Sequence, residues 1–246
     1  MAILVNVPFI KPHKQFLPHF VEWYAANKAR HDLRLHWICW KALHQVQALA
    51  VQAARTLKAT HLLFTEDDHW GFPVDGLQAL LDADEDVIGF PTYSRKFPYL
   101  PFNMRRKDPS LSLISKHRNL HGFYQGTGPL IQDTDLISWA FTLVKTNVFD
   151  RIQDPFEVWG ICPTDSYFCQ YCLEAGIVPK VHFGYTMPHG DFGPDEVVPQ
   201  RRMRESVLMQ QRQALAPLLI HDDHDDFIHV PEALQAIETL QYAELA

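Results

Sequence analysis

The stretch that decides the fold is His61-Leu62-Leu63-Phe64-Thr65-Glu66-Asp67-Asp68-His69, in which a short apolar run passes directly into three consecutive acids. Such a run is typical of a buried β-strand, and the helix predicted to start at Pro73 leaves the acids at the carboxyl end of that strand. In open α/β sheets, ligands bind outside the carboxyl ends of the strands. The stretch therefore predicts an α/β fold with an acidic cluster at its ligand-binding edge.

Strands and helices alternate on both sides of this stretch. The apolar run Ile3–Val7, which Pro8 ends, predicts a buried parallel strand. Apolar or alternating segments predict further strands at 33–38, 87–90, 138–144 and 178–185. Helical spacing and helix-favouring residues predict helices at 16–24, 41–57, 73–81 and 164–175, the last closed by Gly176. This order predicts an α/β protein with a mostly parallel central sheet.

The length of 246 residues is within reach of a single α/β domain, which we expect over residues 1–217. Residues 91–135 are rich in proline and basic residues and lack a sustained period. An excursion of this length is usually functional, and we expect a mobile flap that contributes to an acceptor site. Residues 218–246 predict an acidic linker and a C-terminal helix, so that the domain ends in a helical extension.

The net charge of −7 argues against a protein that mainly grips nucleic-acid phosphates, although two local basic stretches, 95–118 and 201–204, leave a basic groove open. Among the four cysteines, Cys169 and Cys172 form a C-x-x-C inside a predicted helix. This placement favours buried thiols in a reducing compartment over a zinc or redox motif. With no basic leader and no apolar segment long enough to span a bilayer, we expect a cytoplasmic protein.

Glu66, Asp67 and Asp68 have a chemical and a structural interpretation. A divalent cation held by carboxylates can neutralise the diphosphate that leaves a nucleotide sugar. Acids are also favoured in the first turn of a helix, where they interact with the helix dipole without any further function. The residues alone leave both interpretations open.

Several segments, in the right order, resemble the GT-A glycosyltransferase superfamily, in particular its small bacterial and phage members related to glycosyltransferase family 2. Ala53-Ala54-Arg55 and the following segment 59–68 are similar to the helix, strand and D-x-D element of that family, with Glu66 in place of the first Asp. Further similar segments are the turn after the next strand, the side of the sugar pocket, the acidic helix start and the late histidine, at 87–96, 139–149, 163–169 and 185–190. The resemblance spans about residues 1–192. It implies a single Rossmann-like, three-layer α/β/α domain.

The resemblance also implies roles for individual residues. Glu66, Asp68 and His189 are implied as ligands of a divalent cation, Mn²⁺ or Mg²⁺. Asp165 is implied as the catalytic base that accepts the proton of the acceptor hydroxyl. Contacts with the donor are implied for a further set of residues: Pro8, Phe9, Arg55, Asp67, Arg95 and Lys96.

These roles imply a metal-dependent glycosyltransferase that moves a sugar from a nucleotide-diphosphate sugar, with UDP favoured, to an acceptor hydroxyl with inversion. A retaining reaction stays open, because retaining members share the D-x-D and the late histidine. One alternative is a nucleotidyltransferase, although nothing after Val7 resembles the Gly-rich basic loop that usually holds a triphosphate. The other is a non-catalytic carbohydrate-binding protein on the same fold. Saccharide, lipid, protein and modified nucleic-acid base all stay open as the acceptor.

Overall fold

The computed structural model describes residues 1–9, 12–39, 41–93, 101–113, 120–123, 128–152, 156 and 164–189. Its strands are β1 Ala2–Phe9, β2 Asp32–Cys39, β3 His61–Thr65, β4 Val87–Gly89, β5 Met104–Arg106, β6 Leu120–Gly122, β7 Ile131–Asp133, β8 Phe141–Lys145 and β9 Lys180–His182. Its helices are α1 Phe16–Lys28, α2 Leu43–Thr56, α3 Gly76–Ala83 and α4 Thr164–Glu174, with a 3-10 helix at Thr146–Asp150. None of the helices in these ranges has both the length and the apolar character that crossing a membrane requires. The predicted helical extension over 218–246 lies outside the described residues.

Seven of the strands form one sheet in the order β2-β1-β3-β8-β4-β9-β7. β1 pairs in parallel with both β2 and β3, and β4 pairs in parallel with β9. β8 lies antiparallel between β3 and β4, and β7 is antiparallel to β9 at the edge. Five strands therefore run in one direction, and their carboxyl ends share one edge of the sheet. A separate antiparallel pair is formed by β5 and β6.

The two faces of the sheet are covered by different helices. Along β1, Ile3, Val5 and Val7 point to one face, where they pack with buried residues of α1 and α3. Leu4 points to the other face, where the core includes buried residues of α2 and α4. This alternation is what a strand buried on both sides requires. The predicted Rossmann-like, three-layer α/β/α domain with a mostly parallel sheet is confirmed.

Several element boundaries differ from those that the sequence predicts. Helix α3 begins at Gly76 rather than at Pro73, because Pro73 opens a turn in which its carbonyl accepts the Gly76 N–H at 2.9 Å. β8 begins at Phe141, since the Ser138 carbonyl accepts the Thr142 hydroxyl at 2.7 Å within a preceding turn. The irregular segment 91–135 contributes β5, β6 and β7, each of three residues. Strands this short leave no measurable period in a sequence.

Helix α4 ends as the sequence predicts. Gly176 has a φ of +72°, the left-handed conformation that closes helices and favours glycine, and the Ile177 N–H donates to the Cys172 carbonyl at 2.8 Å. The thiols of Cys169 and Cys172 lie inside the core, and burial raises the pKa of both well above the usual value. A raised pKa leaves these thiols protonated and unreactive at neutral pH, as expected for structural cysteines.

Candidate metal centre

Three loops meet at the carboxyl edge of the sheet, one after each of β3, β4 and β9. The loop after β3 carries the acids and then His69, the loop after β4 includes Pro91 and Thr92, and the loop after β9 leads to Met187 and His189. His69 and His189 pair through an antiparallel backbone bridge, and Thr92 and Met187 pair through a parallel one. The backbone therefore fixes the three loops against each other before any side chain is considered.

Asp68, His69 and His189 form an Asp-His-His cluster at this point. One potential ligand atom from each residue lies within 4.8 Å of the other two. Asp68 Oδ1 is 2.9 Å from His69 Nδ1, and Asp68 Oδ2 is 3.3 Å from His189 Nε2. The two imidazole rings stack with centroids 4.4 Å apart and planes 4° apart. Both rings therefore turn a nitrogen toward the same carboxylate.

The outer nitrogen of each imidazole is held by a backbone-anchored partner, which fixes the tautomer. The Thr92 hydroxyl donates to the Met187 carbonyl at 2.8 Å, so it accepts from His69 Nε2–H at 3.2 Å. His189 Nδ1–H donates to the Tyr93 carbonyl at 2.8 Å, because a carbonyl can only accept. In the neutral rings, the lone pairs of His69 Nδ1 and His189 Nε2 therefore face Asp68, as in histidines that bind a metal.

The electrostatics of the cluster suit a cation. The side chains of Asp68, His69 and His189 are 16%, 1% and 12% exposed, so water screens their charges poorly. Burial opposes ionisation of Asp68, but the positive charge and N–H groups that His69 and His189 present when protonated hold the pKa of its carboxyl well below the usual range. A carboxylate and two imidazoles in their metal-binding tautomers are a donor set that fits a divalent cation.

The three predicted acids have different surroundings. Asp68 is a member of the Asp-His-His cluster, and Glu66 borders it, with Oε2 3.7 Å from His69 Nδ1. Asp67 turns toward the end of β2, where its charge adds to burial in raising the pKa of the Cys39 thiol. The Asp67 carbonyl also accepts the His13 N–H at 2.7 Å, which ties the loop after β1 to the acids.

Asp165 lies at the N-terminus of helix α4, on the same edge of the sheet. The neighbouring Thr164 hydroxyl accepts the Trp139 indole N–H at 3.1 Å, and the Trp139 ring packs 4.3 Å from the ring of Phe64 in β3. Burial raises the pKa of Asp165 to about 6, although the Ser166 N–H donates to Oδ1 at 2.7 Å and partly offsets this. A carboxyl that titrates near neutral pH is suited to general base catalysis.

The predicted donor-binding residues near the ends of β1 and β4 differ in how far the structure describes them and in whether their side chains are accessible. Phe9 ends β1 at the carboxyl edge of the sheet, but its ring is buried in the core, 4.6 Å from the ring of Trp37. Pro8 is also buried. These two residues therefore offer backbone atoms rather than side chains to a ligand. Arg95 and Lys96 lie outside the described residues.

Arg55 lies at the opposite edge of the sheet from the acids. Its guanidinium donates to the Phe149 carbonyl and to Asp150, both at 2.9 Å. These partners follow β8, whose last residue, Lys145, pairs with His61 at the start of β3. A cleft of about 310 Å³ beside Arg55 is lined by α2 and by residues near the 3-10 helix. The structure does not bring Arg55 together with the Asp-His-His cluster.

For the nucleotide-sugar donor that the sequence resemblance implies, we expect Arg55→Met to leave the KM within about twofold of wild type, since a residue distant from the Asp-His-His cluster would contribute no binding energy to that donor. Loss of the half-exposed ion pair with Asp150 should lower the free energy of unfolding by about 1 kcal/mol or less. Steady-state kinetics and urea unfolding measure the two quantities. A tenfold rise in KM without loss of stability would instead place Arg55 at the donor.

Sequence reasoning did not single out His69. The sequence nevertheless contains a pattern that could have indicated His69 as a metal ligand. A histidine directly after Glu66-Asp67-Asp68 adds a possible nitrogen ligand to the acids at the strand end. Its supports, the Thr92 hydroxyl and the Met187 carbonyl, come from loops distant in the sequence. No local pattern marks such supports, because they depend on which strands are neighbours in the sheet.

Comparison with known proteins supports the class of fold. The sequence matches no protein-family model and no curated protein. The structure is similar to that of A197 from STIV, with a TM-score of 0.51 and 14% sequence identity over 77% of this chain and 85% of that protein. At this identity the similarity shows a shared fold and leaves the function to be argued from the site.

Two further solved structures are similar at lower scores. One, from Desulfovibrio desulfuricans G20, is provisionally named a nucleotide-diphospho-sugar transferase; it has a TM-score of 0.41 and 12% identity over 88% of this chain and 96% of that protein. The other is a provisional glucose-1-phosphate thymidylyltransferase from Bacillus anthracis in complex with a sucrose, with a TM-score of 0.38 and 9% identity over 90% and 96%. At TM-scores below 0.5, these two similarities do not bear on the function.

Proposed function

We propose that this protein is a metal-dependent glycosyltransferase that moves a sugar from a nucleotide-diphosphate sugar to an acceptor hydroxyl. The observation that carries the proposal is the Asp-His-His cluster at the carboxyl edge of a mostly parallel sheet. Ligands of α/β proteins bind at that edge. The ordered resemblance of the sequence to GT-A glycosyltransferases supports a nucleotide sugar, with UDP as the nucleotide, as the ligand.

Asp68, His69 and His189 hold the divalent cation in this proposal. When bound, the ion supplies positive charge that stabilises the diphosphate as it leaves the sugar. In this proposal, Asp67 and the backbone at the ends of β1 and β2 contact the nucleotide. Arg95 and Lys96, which follow β4 in the sequence, contribute further donor contacts.

Asp165 acts as the base toward the acceptor hydroxyl. With a pKa of about 6, the carboxyl is mostly ionised near neutral pH and can take the proton as the hydroxyl attacks the sugar. A base that activates the acceptor directly favours inversion of the anomeric configuration. The segment 91–135 is the proposed source of acceptor contacts, because its antiparallel strand pair, β5 and β6, lies outside the main sheet.

A panel of nucleotide sugars with Mn²⁺ tests the proposal. The true donor should stabilise the protein by about 2.7 kcal/mol at a hundredfold excess over its Kd, and it should be hydrolysed slowly to the nucleoside diphosphate. Thermal shift and nucleotide release measure these effects, and NMR of the product anomer tests inversion. Turnover of a nucleoside triphosphate and a sugar phosphate, without turnover of any nucleotide sugar, would replace the proposal with a nucleotidyltransferase.

A further inference from the structure

We propose that the C-terminal segment 231–245 docks as an amphipathic helix in the cleft beside Arg55, between helix α2 and the residues that follow the 3-10 helix. The proposed function assigns no metal, donor or acceptor to this cleft. The inference therefore does not rest on the proposed function, and its test needs no sugar donor.

The walls of the cleft are apolar and its rim is polar. Gln52 and Arg55 are the polar lining residues, and both are exposed on α2. The cleft has a volume of about 310 Å³, which is enough for apolar side chains to enter. Its other five lining residues are apolar: Ala48, Val51, Phe149, Ile152 and Phe156.

The segment 231–245 has a matching apolar face. Leu234, Ile237 and Leu240 recur every three residues, so they lie on one side of the helix that the sequence predicts. Pro231 suits the first position of such a helix. Amphipathic helices bind hydrophobic grooves in this way, with apolar side chains one turn apart as anchors.

The charges of the segment and of the cleft rim are complementary. Residues 218–246 contain seven Asp and Glu residues and neither Lys nor Arg, while the rest of the chain has 22 acidic and 22 basic residues. The whole net charge of −7 is therefore carried by this part of the chain. Arg55 lines the cleft and Arg151 precedes its lining residue Ile152; each forms one ion pair but is still 54% and 45% exposed. These cations attract an acidic segment.

The segment can reach the cleft from the point where the described chain ends. Residues 190–230 connect His189, the last described residue, to the segment. About 40 residues can extend over about 130 Å, several times the radius of gyration of about 16 Å expected for a domain of this size. Because the segment and the cleft belong to one chain, the segment is held at a high local concentration, and modest contacts suffice for docking.

Disulfide trapping in the full chain tests the docking. Gln52→Cys places a thiol at the cleft, and Gln241→Cys places one on the apolar face of the segment, four residues after Ile237. The control combines Gln241→Cys with Gln78→Cys, since Gln78 is exposed on α3 and α3 packs on the other face of the sheet from α2. We expect mild oxidation to form the intramolecular disulfide of the first pair at least about tenfold faster than that of the control pair. The single variants report any reaction with the native thiols.

Ile237→Asp tests whether the apolar face makes the contact. Thr239→Asp is its matched control, because it adds the same charge on the opposite side of the predicted helix. A carboxylate is unfavourable in an apolar cleft, so Ile237→Asp should slow trapping to the rate of the Gln78 pair, while Thr239→Asp should leave it within about twofold. Circular dichroism checks that every variant folds.

Equal rates for the two cysteine pairs, or trapping that Ile237→Asp does not slow, would overturn the proposal. Non-reducing gel electrophoresis separates monomers from crosslinked dimers. A disulfide that forms only between two chains would also overturn it, since a second copy of the chain would then supply the segment.

Discussion

Asp68→Asn should lower the metal-dependent turnover of the donor by about a thousandfold, because the loss of a bound cation removes several kcal/mol of transition-state stabilisation. Asp68 is the anionic member of the Asp-His-His cluster, and its two oxygens face the nitrogens of His69 and His189. Asparagine keeps the size of the side chain but not its charge. Steady-state release of the nucleoside diphosphate at saturating Mn²⁺ measures the effect.

Asp75→Asn is the matched control for this variant. Asp75 is a solvent-exposed carboxylate that precedes helix α3 and pairs with Arg30 at 2.6 Å. We expect its replacement to leave turnover unchanged, since an exposed ion pair contributes little even to stability. If folded Asp68→Asn retained metal-stimulated turnover at the level of this control, the assignment of Asp68 as a metal ligand would be wrong.

Asp165→Asn should lower kcat by about a hundredfold to ten thousandfold, the range that positioned general bases contribute. The asparagine Oδ1 can still accept the Ser166 N–H, so the start of helix α4 should be preserved. In the wild type, kcat/KM should rise with pH through a pKa of about 6 as Asp165 ionises. A pH profile of kcat/KM that is flat between about pH 5 and about pH 8 would contradict the role of Asp165 as base.

The same substitution should increase stability at high pH. The pKa of Asp165 is about 6 in the folded protein and near 3.8 in the unfolded chain, so the folded state binds the proton more tightly. Protonated Asp165 therefore adds to the free energy of unfolding below about pH 4. Up to about 3 kcal/mol of this contribution is lost as the pH rises through 6. Asparagine does not titrate and avoids this loss.

Urea unfolding at about pH 4 and about pH 8 measures this difference. We expect the stability of Asp165→Asn relative to wild type to be higher at the upper pH. Asp82→Asn, an exposed change on helix α3, serves as the control for the effect of an Asp-to-Asn substitution itself. Identical pH dependence in Asp165→Asn and wild type would show that the surroundings of Asp165 do not raise the pKa of its carboxyl. Lower activity with higher stability is the combination expected of a catalytic group held in an unfavourable environment.

The sequence predicts the central strands well because a sheet buried on both faces leaves continuous apolar runs. β3, His61–Thr65, coincides with its predicted range for this reason, and it locates Asp68 at the carboxyl edge. The shorter strands β5, β6 and β7 carry no comparable signal. They depend on partners distant in the sequence, which local patterns do not reveal.

Asp68 and His189 were singled out from the sequence because each follows a recognisable strand. His69 also follows β3, but its contribution depends on which of several consecutive side chains turn toward the neighbouring loops. The direction of the His69 side chain depends on β4 and β9 being neighbours in the sheet. The loops after these strands supply Thr92 and Met187, which hold the imidazole. The antiparallel insertion of β8 between β3 and β4 could not be deduced from local sequence.

The position of Arg55 follows from the topology. Helix α2 runs back from the carboxyl end of β2 to the start of β3, so its last turn lies at the opposite edge from the acids. Every helix that links two parallel strands ends at the edge where the next strand begins. A resemblance between short segments does not show at which edge of the sheet a helix ends. The order of strands and helices along the chain does show it.

The most direct test is a crystal structure of the protein with Mn²⁺ and UDP, with anomalous diffraction recorded at the manganese absorption edge. The account predicts one manganese peak coordinated by Asp68, His69 and His189, with oxygens of the UDP diphosphate completing its coordination. Manganese bound elsewhere, or a diphosphate that binds away from these three residues, would contradict it.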